Sequence, residues 1–267
     1  LIRKLAESRP APVVVCYTGF FSDDSIYMIK EHRPLYIKRL FSVYEHWFVR
    51  HFIAPQFASL GENPTMLKPW HIDIYGAFIT AGKNLHVIAG PDRHPSLSTW
   101  QFENYQGHID IGDHCLICPG VRIDSGSQIT IGNNCMFAAS SYITDSDWHG
   151  IYDRTKTVGT SLPVTLGDNV WIGDGAKVCK GVTIGDNSVI GAGAIVTSDI
   201  PANSIAAGNP ARVIKPLDPD QTLIKREQIF ADPVALQAKL DAIDAYVLTP
   251  NTLWDWLRSK YFPRRGD

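Results

Sequence analysis

The chain has 267 residues, 45% of them apolar and 19% charged, with a formal net charge of −2. That length and composition suit a globular protein with a sizeable core, and near-neutral charge provides no global basic field for nucleic acid. No stretch approaches the roughly 18 apolar residues of a membrane span and no signal peptide is legible, so nucleic-acid partners and an integral membrane segment are not expected.

Residues 1–70 read as a helical or irregular segment packed on the domain that follows. Arg9-Pro-Ala-Pro leads into an apolar run from Val13 to Tyr17. Ser22-Asp-Asp then suits an N-cap before a short helix ending near Arg33-Pro34. From Leu35 to Phe57, Ile37, Leu40, Phe41, Tyr44, Trp47, Phe48 and Phe52 carry mostly helical spacing. Such a helix could lie on a membrane surface. The expectation here is that it packs on protein, because its aromatics would otherwise form the kind of exposed patch that soluble proteins avoid. Ile72 to Ala89 has loose repeat texture and reads as a degenerate first coil. Pro91 to Gly107 reads as an insertion anchored by Trp100 and Phe102.

Between Ile109 and Val196 an apolar residue returns every six positions. Ile111, Ile117 and Ile123 form one set, and Ile131, Phe137 and Ile143 a second. Leu166, Ile172 and Val178 form a third, and Ile184, Ile190 and Val196 a fourth. The residue after each is usually small, which the spacing reads as room for a sharp corner, and another compact residue stands two places before. Neither a helix nor a lone strand has a six-residue period. A chain wound around a triangular prism does, each coil stacking about 4.8 Å from the last, and hexapeptide repeats are the signature of a parallel β-helix. An eight-residue step from Ile123 to Ile131 suggests a bulged corner, and the 22-residue gap between Ile143 and Leu166 is a loop that leaves the prism. The fold class is therefore mainly β: a β-helix over 71–215 with an excursion at 144–163. C-terminal helices over 216–267 are expected near 219–231, at 233–248 behind Asp232-Pro233, and near 252–261. Leu236, Leu240, Ile243 and Val247 make a stripe suited to packing on the prism or a neighbouring subunit.

Cys115 and Cys118 spell C-x-x-C, but Cys115 and Cys135 fall on the slot before an axis residue and Cys118 and Cys179 on the slot after, where any small residue serves. With Cys16 the count is odd, which suits a reducing cytoplasm. The chemistry lies in the excursion, Thr144-Asp-Ser-Asp-Trp-His-Gly-Ile-Tyr-Asp-Arg154. An imidazole is suited to proton removal at neutral pH, which makes His149 the candidate base, and a carboxylate on its second ring nitrogen would fix the tautomer. Asp145 and Asp147 are both candidates for that role.

The hexapeptide run, the ending from Ile190-Gly-Ala-Gly through Ala207-Gly-Asn-Pro-Ala-Arg-Val-Ile-Lys215, and a histidine loop ahead of Val170-Trp-Ile-Gly173 together resemble the hexapeptide-repeat acyltransferases, specifically the sugar and polysaccharide O-acetyltransferases. Asp-x-Asp-x-His followed by Ile-Tyr-Asp is nearer to the capsule-type enzymes than to the galactoside type. The resemblance implies a left-handed β-helix, a homotrimer, acetyl-CoA as acyl donor and no metal. It also implies direct transfer to a hydroxyl-bearing acceptor, a carbohydrate, with His149 as general base. Arg154 would pin the loop or meet an acidic acceptor, and Trp171 would stand near the acceptor or seat the loop. Asp174, Ala192, Thr197, Ser198, Arg212 and Lys215 match the family's donor-contact positions; Arg212 and Lys215 suit the phosphates of CoA. An amino acid or amino sugar stays open as acceptor. A non-catalytic scaffold shares the fold, as does a γ-class carbonic anhydrase, which would need three converging histidines where the coils offer His108, His114 and His149.

Overall fold

The computed structural model describes residues 31–264 and 267. The apolar run from Val13 to Tyr17, Cys16 and the N-cap expected at Ser22 lie outside the described residues. Within them, three parallel sheets wrap one apolar axis. Face A runs from Ser59–Leu60 through His108–Ile111, Gln128–Ile131 and Val164–Leu166 to Thr183–Ile184. Face B runs from Thr65–Leu67 through Met136–Phe137 and Trp171–Ile172 to Ser204–Gly208. Face C runs from Asp73–Tyr75 through Ser96–Thr99, Arg122–Ser125, Tyr142–Thr144 and Lys177–Val178 to Ile195–Val196. The chain visits A, B and C in turn, so each strand pairs with its counterpart one coil away: Ile111 with Ile131, Ile131 with Leu166, Leu166 with Ile184. This register stacks every axis residue on the previous one. From Ile111 to Val196 these residues are at most 4% exposed.

At the A–B and B–C corners the chain turns three residues after the axis residue, not at the small residue that follows it. His114, Asn134, Asn169 and Asn187 hold φ between 58° and 62° at the A–B corner, a region Asn tolerates because its short amide can bond locally. Here the amides bond along the prism, Asn169 donating to Asn187 at 3.0 Å and Asn187 to Asn203 at 2.9 Å. The small residue serves coil-to-coil approach instead. A Cβ on Gly167 would fall 2.1 Å from the Asp186 carboxylate, which itself accepts from the Asp168 N–H at 2.8 Å.

The prism starts earlier than the repeat pattern suggested. Leu60, Met66 and Ile74 stack under Ala81, Val87 and Leu97, so coils are already forming at Ser59. Leu97 is 2% exposed on a face-C strand. Of the insertion expected over 91–107, only the hairpin of Gln101–Phe102 and Tyr105–Gln106 leaves the prism. These early coils keep a Gly-x-Asn corner at Gly61-Glu-Asn63 and Gly82-Lys-Asn84, but their axis residues return at uneven steps, which hid them.

Helix α1 (Leu35–Phe48) continues through Val49–Ile53, and Val49, Ile53 and Phe57 close the open end of the core. Within this chain the helix expected to pack on protein meets the prism at one end. Leu40 is 62% and Val43 69% exposed, and Tyr36, Tyr44 and Trp47 are also uncovered, because only the last turns meet the prism. Beyond the prism, Ala211–Pro216 folds back antiparallel on face B, and the chain then follows the A–B corner. The helix expected near 219–231 is only a short 3-10 turn, Arg226–Phe230. Its residues bond to the corner instead: Arg226 Nε donates to the His114 carbonyl at 2.8 Å, and the Glu227 N–H to Asn134 at 2.7 Å. Helices α2 (Pro233–Leu248) and α3 (Leu253–Tyr261) follow, α2 opened by Asp232 accepting from the Ala235 N–H at 2.9 Å. Lys38 of α1 pairs with Asp244 of α2. The stripe expected to pack leaves Leu240, Ile243 and Val247 exposed in this chain.

Candidate active site

The excursion leaves the prism at the C–A corner, between Tyr142–Thr144 and Val164–Leu166. Its first residue explains the eight-residue step seen in the sequence. Asp145 is fully buried and its carboxylate fills the widened corner, accepting from Ser125 Oγ at 2.7 Å, the Gly126 N–H at 2.8 Å and the Ser127 N–H at 2.9 Å. Ser146 Oγ adds a fourth bond at 2.6 Å. A buried carboxylate is tolerable only with such a donor set. The two ends of the loop then pair, Asp147 N–H to Thr160 at 3.0 Å and Gly159 N–H to Asp147 at 2.7 Å.

Two further contacts hold the loop to the edge. Asp147 takes Lys180 Nζ on both oxygens at 2.7 Å, and Lys180 stands at the next C–A corner. Trp148 donates its indole N–H to Tyr142 Oη at 3.0 Å and lies against Trp100 and Phe102, at ring separations of 6.2 and 6.3 Å. Tyr142 sits under the Arg122 guanidinium, 4.7 Å away, and burial pushes its phenol pKa up. Arg122 pairs with Asp124, which also accepts from Ser98 at 2.7 Å, and Ser98 accepts from the Trp100 indole at 2.8 Å. A continuous polar and aromatic chain therefore runs from face C to the residue beside His149.

His149 itself is exposed, and no hydrogen bond or ion pair to its imidazole is present among the described residues. Neither carboxylate proposed to orient it does so in this chain: Asp145 is saturated by the corner and Asp147 is held by Lys180. The backbone of His149 passes close to Gly159, where a Cβ would come 2.5 Å from the His149 carbonyl. Arg154 is exposed near the loop tip. There Asp153 accepts from the Thr155 hydroxyl and N–H at 2.6 and 3.1 Å, and those bonds lower its pKa.

The other expected residues fall elsewhere. Thr197 and Ser198 share the C–A edge, one coil beyond Cys179 and Lys180. Asp174 and Ala192 occupy the B–C corner, where the Gly193 N–H donates to the Asp174 carbonyl at 2.7 Å. Trp171 is 47% exposed on face B between Met136 and Val189 and does not seat the loop in this chain. Arg212 and Lys215 lie exposed on the antiparallel strand that extends face B. One prism thus holds His149 on one edge and much of the expected donor set on another edge and face. Lys180, Tyr142 and Trp148 were not assigned roles from sequence; an aromatic residue next to the histidine of a polar loop was the available signal for Trp148.

Among the described residues no group of three His, Cys, Asp or Glu side chains is arranged to hold a metal. His108 packs on Phe78 and His114 on Phe230, at different corners. Among the described residues Cys115, Cys135 and Cys179 form no disulfide. A hydrogen bond with Cys135 and burial push the Cys115 thiol pKa up, which suits a packing role. No helix of the described residues is long and apolar enough to cross a membrane.

The bacterial transferase hexapeptide model (six repeats) matches residues 163–198. The galactoside O-acetyltransferase of Escherichia coli K12 is 34% identical over 168 residues, covering 62% of this chain and 67% of that protein. The polysialic acid O-acetyltransferase of Escherichia coli O1:K1 / APEC is 42% identical over 110 residues, 40% of this chain and 36% of that protein. A solved galactoside acetyltransferase in complex with coenzyme A is 32% identical, covers 69% of this chain and 82% of its own, and superposes with a TM-score of 0.41. The first curated relatives are thus matched over 36% to 67% of their own length. The six-residue register, the histidine loop at the C–A corner and the 34% identity over two thirds of the galactoside O-acetyltransferase agree: the chain belongs to the hexapeptide-repeat acetyltransferases, a family of left-handed parallel β-helices.

Proposed function

We propose that this chain transfers an acetyl group from acetyl-CoA to a hydroxyl of a sugar or polysaccharide, with His149 as general base. The observation that carries the reading is the stapled loop. Asp145, the Asp147–Lys180 pair and Trp148 hold an exposed, unengaged imidazole at the prism edge that also bears Thr197 and Ser198. A scaffold has no use for an uncommitted histidine held on three anchors. His149 removes the acceptor proton as the hydroxyl oxygen attacks the thioester carbonyl. The C–S bond then breaks and the imidazolium returns the proton to the departing thiolate, leaving the acetyl ester and CoA. Backbone N–H groups of a coil corner suit the developing oxyanion.

The separation of His149 from Trp171, Asp174, Ala192, Arg212 and Lys215 favours a homotrimer. The apolar axis is filled, so a long pantetheine arm needs a groove between neighbouring prisms. In that arrangement the loop edge of one chain faces the B–C side of the next, and Arg212 and Lys215 meet the CoA phosphates. The acceptor type follows the sugar acetyltransferases to which the chain is similar. A reducing, cytoplasmic setting suits cysteines used for packing.

The test is CoA-thiol release from acetyl-CoA against a panel of hydroxyl acceptors, with mass analysis of products. An acetylated sugar is expected, and turnover only on amines would replace the reading. Co-refolding His149→Ala with a variant altered at both Arg212 and Lys215 should restore a minority of sites. No recovery in proven heterotrimers, or a monomer by light scattering, removes the shared site.

A further inference from the structure

Above the loop, on the same C–A edge, Tyr75, Phe78 and Trp100 line a cleft of about 400 Å³, with Gln101 and Gln106 at its wall. The three rings are 58%, 43% and 40% exposed, although Trp100 is fixed by a 4.7 Å ring contact with Tyr75 and by its indole bond to Ser98. The wall is the one hairpin of this region that leaves the repeat. The floor is kept open by Gly76, whose φ is +93° and where any Cβ would meet Thr99 Oγ1 at 2.1 Å. The Thr99 hydroxyl is buried and has no protein partner. None of the lining side chains is charged.

We infer that this cleft holds a neutral sugar unit of the acceptor glycan, one or two units along the chain from the acetylated residue. The inference rests on the acetyl-transfer reading above. Its chemistry is that of carbohydrate recognition. The C–H face of a pyranose is apolar and slightly positive, and so complements the negative face of an aromatic ring. A glutamine amide offers both a donor and an acceptor to hydroxyls. An anionic sugar would be desolvated here without a cation, which is costly. The volume lies within the range of small-ligand sites.

Position links the cleft to the reaction. The strand Ser96–Thr99 pairs with Arg122–Ser125, which pairs with Tyr142–Thr144, the strand that launches the loop. Two strand spacings from Trp100 and three from Tyr75, about 10 to 14 Å, separate cleft and loop root along the prism, a span a short oligosaccharide covers. Trp148 leans back against Trp100 and Phe102. A glycan seated on Tyr75 and Phe78 can therefore run over Trp148 to His149.

The experiment compares methyl monoglycosides with the matching neutral gluco-, galacto- and manno-oligosaccharides, using the full chain and the Tyr75→Ala and Phe78→Ala variants. Phe78→Ala leaves the surroundings of Trp100 and Trp148 untouched, whereas Tyr75→Ala removes one contact of Trp100 and leaves its indole bond to Ser98 in place. For the preferred sugar, the wild type should use the oligosaccharide with kcat/KM at least about tenfold above the monoglycoside. Each variant should lose most of that advantage through KM while keeping its rate on the monoglycoside, its melting temperature and its CoA affinity. Equal use of long and short acceptors by the wild type, or an undiminished preference in both variants, would overturn the cleft assignment and leave acetyl transfer standing. A preference for oligosialic acid over every neutral oligomer overturns it as well. Absence of transfer to any sugar sinks the acetyl-transfer reading itself, and the cleft with it.

Discussion

Phe137 and Asp145 are both fully buried, yet they are held by opposite means. Phe137 sits on the axis between Ile117 and Ile172, secured by area and shape alone. Asp145 sits at the C–A corner, secured by four donors. The interior is a translational repeat in which each coil does what its neighbours do. The edge is unique: its residues contact one another across several coils, and the loop they hold has no repeat counterpart. The prism thus supplies stability with little chemical identity, while the edge supplies chemistry with little apolar burial.

If that division is right, changes to the axis should move stability and spare the chemistry of folded protein. Phe137→Ala should cost about 3–5 kcal/mol, the usual loss for a buried phenylalanine, measured by denaturant unfolding. Turnover per folded molecule should stay near the parent value; a collapse in turnover without a stability loss would break the division. The complementary change is His149→Ala, expected to lower transfer by at least about 10²-fold, the scale of a missing general base. Its melting temperature and CoA affinity should match the parent, because the imidazole makes no hydrogen bond or ion pair within the described chain. Retained turnover would move the base elsewhere.

Asp145→Asn probes the seam between the two regions. The amide cannot accept from all four donors, so a loss of about 2–3 kcal/mol is expected, accompanied by faster proteolysis within 144–163. Unchanged stability would mean that the corner does not need its carboxylate. The smallest effect belongs to Lys180→Met. It frees Asp147 without touching the axis and should reduce kcat about tenfold through loss of loop position. Adding Asp147→Asn should cost little more, because the two residues form one contact. Additive losses would show that they act separately.

Much of this division is legible in the residues themselves. The six-residue period identifies the axis residues, their burial and the point where the chain departs at Ile143, because a stacked coil presents the same environment every turn. The same logic made His149 conspicuous as a histidine outside the repeat. The boundaries of the prism were less visible: Leu60, Met66 and Leu97 are axis residues in coils of irregular length. The aromatic helix α1 also carried a pattern that did not distinguish a covered face from an uncovered one.

The sequence by itself therefore determined the prism, since period and register depend only on which residue follows which. Tertiary structure alone decided the partners at the edge. Lys180 reaches Asp147 and Trp148 meets Trp100 and Phe102 because stacking places distant coils side by side. Asp145, read as a possible partner for His149, instead closes a corner whose extra width only the folded coil reveals. Contacts between coils depend on which corners share an edge. Linear spacing carries no record of that until the chain has turned.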